Sequence, residues 1–418
     1  MSHFFQKIET LLLHEAGLYT PDGTDPKAVA HQWIHSLAYD FLPFAAQQGV
    51  TKKNLIDILI PEYLFTDVLA FKKLMPNLPI TPTHKSTFTF IDLFAGIGGM
   101  RIGFQEAGGT CVFSSEFEKN AQATYFENHG DYPFGDITKI AVEDIPDHDV
   151  LVAGFPCQPF SHAGLKKGID DTRGTLFHNI ANILREKKPK VALLENVKGL
   201  ISHDKGYTLQ VILKTLIAMG YNCNIDNEVI INGTLKQLQT EAKKMVLRSI
   251  DFDVPQNRQR IYIVLWKGDL TKQFNYPDSK HSNTHDNTEI KTPFNSILVE
   301  NPDPKYTISD RLWEGHKRRK INNAINGKGF GFGLVTEDSL YTNTISARYY
   351  KDGSEILIDQ KDKNPRKLTP REAARLQGFP DSFVHNKSEV QAYKEFGNSV
   401  TVDVISALAR QIQLIIGE

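Results

Sequence analysis

Four consecutive apolar residues, Val150-Leu151-Val152-Ala153, run without a break into Gly154-Phe155-Pro156-Cys157-Gln158-Pro159-Phe160-Ser161. A short, uninterrupted apolar run reads as a strand buried on both faces, an environment that parallel sheets covered by helices provide. In open sheets of this kind the chemistry gathers beyond the carboxyl ends of the strands, and Cys157 stands at that point. Pro156 and Pro159 stiffen the turn on either side of the thiol, so that it is presented in a fixed direction. Cys157 is therefore a candidate nucleophile, with simple packing as the alternative, because free cysteine is among the most buried residue types.

Neighbouring segments repeat the pattern of strand, polar end and helix. Phe88 to Phe94 reads as a strand, and Ala95-Gly96-Ile97-Gly98-Gly99 as a tight turn into a helix that starts near Met100. Glycines there let the backbone approach a nucleotide-like ligand and let the helix pack on the strand. The next strand, Thr110 to Ser115, ends at Glu116, about 20 residues on, where dinucleotide-binding folds place a carboxylate on ribose hydroxyls. Asp136, in Gly135-Asp136-Ile137, ends a third unit and is placed to contact a base. A fourth strand delivers Cys157, and a fifth, Val191 to Leu194, delivers Glu195-Asn196-Val197. Doubly wound strand order brings the glycine turn, Cys157 and Glu195 to one edge of the sheet, which makes Glu195 a candidate proton donor or base. These elements describe an adenosine-containing cofactor without saying which one, and a nicotinamide dehydrogenase stays open at this point.

A chain of 418 residues accommodates two or three domains. Residues 1 to about 85 read as a helical extension: Asp25-Pro26 is a cap with a first-turn proline, Val29 to Leu42 and Leu55 to Leu74 carry apolar residues at helical spacing, and Pro79 to Pro82 form a stiff linker. The turn Gln47-Gln48-Gly49-Val50-Thr51 faintly suggests a DNA-reading helix pair, but without a basic recognition face a helical cap docked on the main domain is the better reading. Met1 to Gln6 carry no secretory head and no stretch approaches the length of a membrane span, so the expected location is the cytoplasm. The three cysteines, Cys111, Cys157 and Cys223, lie too far apart for a disulfide framework or a zinc site.

Thr234 to Met245 is polar and helix-favouring. Then Val254-Pro255-Gln256-Asn257-Arg258-Gln259-Arg260 leads into an apolar strand, Ile261 to Leu265. Arg258 and Arg260 are spaced to share one side of an extended chain and hold a carbonyl or phosphate oxygen. Asp269 to Asp303 is polar and loop-rich. The following stretch to Arg375 interleaves basic residues with the glycine-rich run Asn326 to Gly333 and with Tyr349-Tyr350, a composition suited to a nucleic-acid backbone and bases. The formal net charge of −1 does not advertise such a partner, but a basic groove on a neutral protein escapes a global sum. Leu368-Thr369-Pro370-Arg371-Glu372 starts a capped helix, and Phe396-Gly397-Asn398-Ser399-Val400 precedes a terminal helix that ends at Ile416.

Taken in order, DLFAGIGG, GFPCQPFS, ENV, PQNRQR, RKLTPREAARLQGFP and FGNSV resemble the motif series of the cytosine-5 DNA methyltransferases, from Asp92 to Val402 and beyond. GKGFGFG and TISARYYKDGSEILID are similar to the recognition region of the bacterial Dcm-type group. The resemblance implies an α/β fold, a doubly wound, mostly parallel sheet of the Rossmann-like S-adenosylmethionine-dependent type. It implies a catalytic domain over 86–275 completed by 386–418, and a target-recognition domain over 276–385. Cys157 would attack carbon 6 of a flipped-out cytosine, Glu195 would bind its N3 and amine, and Arg258 and Arg260 its carbonyl oxygen or the neighbouring phosphate. Phe94, Gly96, Gly98, Glu116, Asp136, Ile137, Gly154, Leu176, Asn398 and Val400 fall on cofactor positions, with no metal. Ser161, Arg173, Thr344 and Arg348 fall on DNA-binding ones, with 161–173 as the loop that closes over the DNA.

Double-stranded DNA is the implied partner of a monomeric enzyme, with a cognate restriction endonuclease as a functional and not a physical one. A site such as CCWGG or CCNGG is expected. The departures are local: Asp253 stands where the family commonly has glycine, Asp403 where proline is frequent, and 234–245 reads as an insertion. Methylation of transfer RNA and repression through the N-terminal helices are the competing readings. Hydride transfer explains neither Cys157 nor Glu195.

Overall fold

The computed structural model describes residues 10, 12–39, 49–59, 78–81, 86–156, 176–268, 272–278, 292–329 and 331–417. They fall into two compact units, one of Met1–Val246, Arg260–Tyr276 and Leu408–Glu418, the other of Leu247–Gln259 and Pro277–Ala407.

The N-terminal part of the first unit includes α1 (Pro26–Tyr39) and α2 (Lys52–Leu59). Asp25 caps α1, its Oδ1 accepting from Lys27 N at 3.0 Å, and Pro26 occupies a first-turn position where its missing N–H costs nothing. Trp33, Ile34 and Leu55 are fully buried in one apolar core with Phe113 and Phe134, so the described helices of the N-terminal segment pack against the sheet. Of the second expected helix, Leu55 to Leu74, only 55–59 is described, within a helix that starts at Lys52; 60–77 lie outside the described residues, as do Gln47 and Gln48.

Seven strands follow: β1 (Phe88–Leu93), β2 (Gly109–Ser115), β3 (Val150–Gly154), β4 (Val191–Val197), β5 (Tyr221–Asn222), β6 (Val246–Arg248) and β7 (Gln259–Lys267). The order is β2-β1-β3-β4-β7-β5, with β6 off this path. β1 to β4 are mutually parallel, while β7 runs antiparallel to β4 and to β5. Val150–Ala153 and Val191–Leu194 are fully buried, as strands covered on both faces must be. The covering helices of this unit include α3 (Gly99–Glu106), α4 (Lys119–His129), α5 (Leu176–Lys187), α6 (Tyr207–Ala218) and α7 (Leu235–Ala242). The last is opened by a capping box between Thr234 and Gln237.

One expected strand is absent. The unit ending at Asp136 makes a single bridge, Ser115 to Phe134. Pro133 has no N–H to extend a ladder, and Asp136 turns the chain by accepting from Thr138 N at 3.0 Å at the head of a short 3-10 turn, Ile137–Lys139. Cys157 therefore follows the third strand in sequence, not the fourth, and Glu195 lies within the fourth, which runs on to Val197.

The second unit contains α8 (Asp310–Ile325), the short parallel pair β8 (Leu334–Val335) and β9 (Leu357–Ile358), α9 (Pro370–Arg375) and α10 (Glu389–Asn398). The terminal helix, α11 (Val402–Ile416), crosses the division between Ala407 and Leu408, so 408–418 return to the first unit and 386–407 belong to the second. Contrary to the sequence reading, Glu389–Ile416 does hold a window long and apolar enough to cross a membrane. However, 67% of it is buried within the protein and Ser399 interrupts it, as befits core helices.

Thr369 and Glu372 form the capping box of α9. Glu372 also holds Arg366 by two 2.8 Å bonds and accepts from Val299 N at 3.0 Å, with side-chain exposures of 0% for Glu372 and 6% for Arg366. Removing one partner leaves a buried, uncompensated charge. Glu372→Ala is expected to cost about 3–5 kcal/mol in urea unfolding followed by tryptophan fluorescence, and a cost below about 1 kcal/mol would contradict this assignment.

Candidate active site

β1 ends in a turn that is conformationally demanding. Phe94, Gly96 and Gly98 have φ of 57°, 56° and 85°, in the left-handed region. At Gly98 a side chain is impossible on a second count, since a Cβ would lie 2.1 Å from His129 Nε2. At Gly96 a Cβ would meet nothing within 4 Å, so that side of the turn is open. Gly96 N donates to Glu116 Oε2 at 2.8 Å, and Glu118 N to Glu116 Oε1 at 2.7 Å. Burial pushes the Glu116 carboxyl above its usual range, and these N–H donors oppose the shift. The next residue, Phe117, exposes 76% of its surface beside that carboxylate.

Beneath the turn lies a buried polar group that sequence reasoning missed. Asp92, on β1, is 1% exposed and neither of its oxygens has a hydrogen-bond partner. Burial pushes its pKa up to about 8; Arg101 opposes the shift and Glu116 adds to it. Arg101 Nη1 donates to Asp131 Oδ2 at 2.5 Å and to Tyr125 Oη at 2.9 Å, and its Nε to Gln105 Oε1 at 2.6 Å. Burial also drives His129 well below the ordinary histidine range, leaving it neutral. Asp136 caps its turn as described, Ile137 is buried, and Leu176 is the first residue of α5.

The second constellation sits at the ends of β3, β4 and β7. The parallel register sets Gly154 opposite Glu195, and a Cβ on Gly154 would lie 3.5 Å from Glu195 Oε2. The antiparallel register pairs Val197 with Arg260 and Glu195 with Tyr262, so Glu195 and Arg260 are diagonal neighbours on one face. Arg260 Nε lies 3.1 Å from Glu195 Oε1, with side-chain exposures of 16% and 12%. Asn196 Nδ2 donates to Phe155 O at 2.8 Å, fixing the backbone that leads into Pro156 and Cys157. Cys157, Ser161 and Arg173 lie outside the described residues.

Arg258 and Arg260 do not form one clamp. Arg258 precedes β7, is 3% exposed, and gives its guanidinium to backbone carbonyls of its own unit: Ser399 O at 2.6 Å, Ile345 O at 3.3 Å and Gly397 O at 3.4 Å. It thereby holds the chain around Asn398 and Val400, of which the first is exposed and the second buried. Gln256 is a second organiser that the sequence reading passed over. Fully buried, it bonds Leu376 O at 2.9 Å, Gln377 Oε1 at 3.1 Å and Ile345 N at 2.8 Å. Thr344 Oγ1 donates to Asn257 O at 2.9 Å, and Arg348 is exposed. Asp253 has φ 65°, the conformation for which glycine is the usual residue. Among the described residues no group of three or more His, Cys, Asp and Glu is placed to hold a metal ion.

Comparison with known proteins gives a consistent result. Residues 88–414 match the family model for C-5 cytosine-specific DNA methylase. The chain is 53% identical over 339 residues to the type II methyltransferase M.SsoII of Shigella sonnei, covering 81% of this chain and 83% of that one. It is 56% identical over 330 residues to the type II methyltransferase M.NlaX of Neisseria lactamica, covering 78% and 96%. The fold is similar to that of the S. pombe Dnmt2 methyltransferase, with a TM-score of 0.59 and 22% identity over 79% of this chain and 98% of that one.

The buried Asp92 has a measurable signature. Folded, it keeps its proton up to about pH 8, whereas the unfolded chain releases it near pH ~4. Across that interval the folded state binds more protons, so this residue makes stability fall as pH rises, by up to about 1.4 kcal/mol per unit. Asp92→Asn should flatten the decline in urea-unfolding free energy between about pH 5 and pH 7.5; parallel profiles for the two proteins would refute the assignment.

Proposed function

The chain belongs to the C-5 cytosine-specific DNA methylases and methylates carbon 5 of cytosine in DNA, as an enzyme of the restriction-modification type; on that premise we propose that Cys157 is its nucleophile and that Glu195 and Arg260 hold the target base. The observation that carries the proposal is the Glu195–Arg260 pair beside Gly154, two residues before the Pro156-Cys157 step. Arg260 engages Oε1 of Glu195 and keeps the carboxylate fixed, while Oε2 faces the end of β3.

A cytosine within a duplex exposes neither face of its ring, so it is extruded before reaction. Cys157, as thiolate, adds to carbon 6, since a neutral thiol is a poor nucleophile. Glu195, carrying a proton at this step, donates to N3 and accepts from the exocyclic amine, stabilising the charge that develops on attack, and carbon 5 becomes nucleophilic. Once carbon 5 has taken the methyl group that the sulfonium donor would supply, the donor leaving as its thioether, loss of the carbon 5 proton to a base with elimination of Cys157 as thiolate releases 5-methylcytosine. Arg258 serves as a positioning residue through its three carbonyl partners.

S-adenosylmethionine, when bound, supplies an electrophilic methyl group. The residues present fit it: the turn is open at Gly96, Glu116 offers a carboxylate for ribose hydroxyls, and the exposed ring of Phe117 offers a stacking face for a base. Phe94, Gly98, Asp136, Ile137, Gly154, Leu176, Asn398 and Val400 are assigned to the cofactor by motif. Ser161, Arg173, Thr344 and Arg348 are assigned to DNA, with a CCWGG or CCNGG site as the proposed target. The enzyme acts as a monomer and protects sites that a cognate endonuclease would cut. Transfer RNA is not favoured, since the matching family is one of DNA methylases.

Cys157→Ser should abolish transfer of labelled methyl groups to unmethylated duplex DNA while leaving S-adenosylmethionine affinity within about threefold. Glu195→Gln should lower kcat by about 10²–10⁴-fold with the same affinity. Turnover by the serine variant, or more than half of kcat in the glutamine variant, would overturn the assignments.

A further inference from the structure

The segment 131–139 follows α4, includes the 3-10 turn Ile137–Lys139 and carries Asp136 and Ile137, yet it has almost no ladder of its own. Besides the bridge at Phe134, the bond from Tyr132 Oη to Gln122 Oε1 at 3.2 Å and the packing of Phe134 on Phe113, it is held by the N-terminal segment. Tyr132 N donates to His31 Nδ1 at 3.1 Å, Gln32 Nε2 to Asp131 Oδ1 at 3.3 Å, and Gly135 N to Thr24 Oγ1 at 3.4 Å. The His31 ring stacks on Phe126 with centroids 4.8 Å apart and meets Tyr132 edge-on at 6.4 Å. Backbone approach is close enough that a Cβ on Gly135 would lie 2.5 Å from Gly23 O. His31 and Gln32 are 0% and 7% exposed.

Two further bonds lead from this loop to the glycine turn. Asp131 shares its other oxygen with Arg101 of α3, the helix that starts on the turn. Phe134 O accepts from Glu116 N at 2.8 Å, so the loop also sets the backbone of the carboxylate assigned to the ribose. We propose that α1 and the turn before it are a positioning element for the adenosine end of the cofactor site, with His31, Gln32 and Thr24 holding the 131–139 loop in its binding geometry. The inference rests on the reading of Glu116, Asp136 and Ile137 as cofactor residues.

An irregular loop that must order on binding weakens affinity by the entropy it loses, and a loop ordered beforehand does not. None of these contacts reaches Glu195 or Arg260, so the effect belongs to cofactor affinity and not to the chemical step. In the full-length enzyme, the double variant His31→Leu/Gln32→Leu should raise Kd and KM for S-adenosylmethionine about tenfold, with kcat changed less than about twofold. His31→Leu alone should raise both values about fivefold, whereas His31→Asn, whose amide oxygen can accept from Tyr132 N in place of Nδ1, should leave both within about twofold of wild type. Thr24→Val, which removes one weak bond, should raise Kd by about two- to threefold and serves if the double variant melts below the assay temperature.

Asp136→Ala tests the underlying reading. If it weakens binding while the N-terminal variants leave Kd unchanged and only lower Tm, the positioning role is wrong and the cofactor reading stands. If Asp136→Ala leaves Kd unchanged, both fall. Equal loss in His31→Leu and His31→Asn would also overturn the positioning role.

Discussion

The parallel pairing of β3 with β4 is the constraint from which the rest of the site follows. Both strands are buried on both faces, so a slip of one residue would turn every side chain over and is strongly disfavoured. That register fixes Gly154 opposite Glu195, and the Asn196 amide then ties down Phe155 O, the last anchor before Pro156. The antiparallel sense of β7 completes the arrangement. A strand running against its neighbour begins where that neighbour ends, which brings Arg260, one residue inside β7, to the carboxyl end of β4. A parallel strand in that place would deliver its first residues to the far edge of the sheet.

The charged groups at this edge serve position more than stability. Glu195 and Arg260 are mostly withdrawn from water, and such a pair gains little net stability once desolvation is counted, while losing either partner is costly. Asp92 is the more extreme case, a carboxyl enclosed without a hydrogen-bond partner beneath the glycine turn. Uncharged below about pH 8, it avoids most of the penalty for burying a charge there. The neighbouring network of Arg101, Tyr125 and Asp131 spreads from the same turn to α1, so the extension that precedes the sheet is bonded into its polar interior.

The apolar runs Val150–Ala153 and Val191–Leu194 were legible in the sequence because nothing polar interrupts them, and β1 because a glycine turn follows it, and with them the placement of that turn and of Glu195. The third unit, read from Asp136 as one of the successive strand ends, makes only the bridge at Phe134, and Pro133 has no N–H to extend it. The pair Arg258 and Arg260 illustrates a second limit. A spacing of two places residues on one face only within a strand, and Arg258 falls just before β7, where its guanidinium turns to carbonyls around 345 and 397–399. Asn196, Gln256, Phe117 and Asp92 were quoted in motifs or passed over because their roles depend on backbone partners or exposure. A buried amide beside an irregular loop leaves no periodic signal. His31 and Gln32 do leave one, as polar residues inside an apolar helical pattern, but their partners lie about 100 positions away.

The account turns on a covalent bond between one sulfur and carbon 6 of the target base, and trapping that bond is its most direct test. Fluorine at carbon 5 cannot leave as a proton does, so elimination is blocked once the methyl group has been transferred. Duplex oligonucleotides with 5-fluorocytosine at the target position, incubated with the enzyme and S-adenosylmethionine, should yield a denaturant-resistant complex. Peptide mass spectrometry should place the adduct on Cys157. Catalytic turnover on cytosine with no such complex on the fluorinated duplex, or an adduct on Cys111 or Cys223, would contradict it.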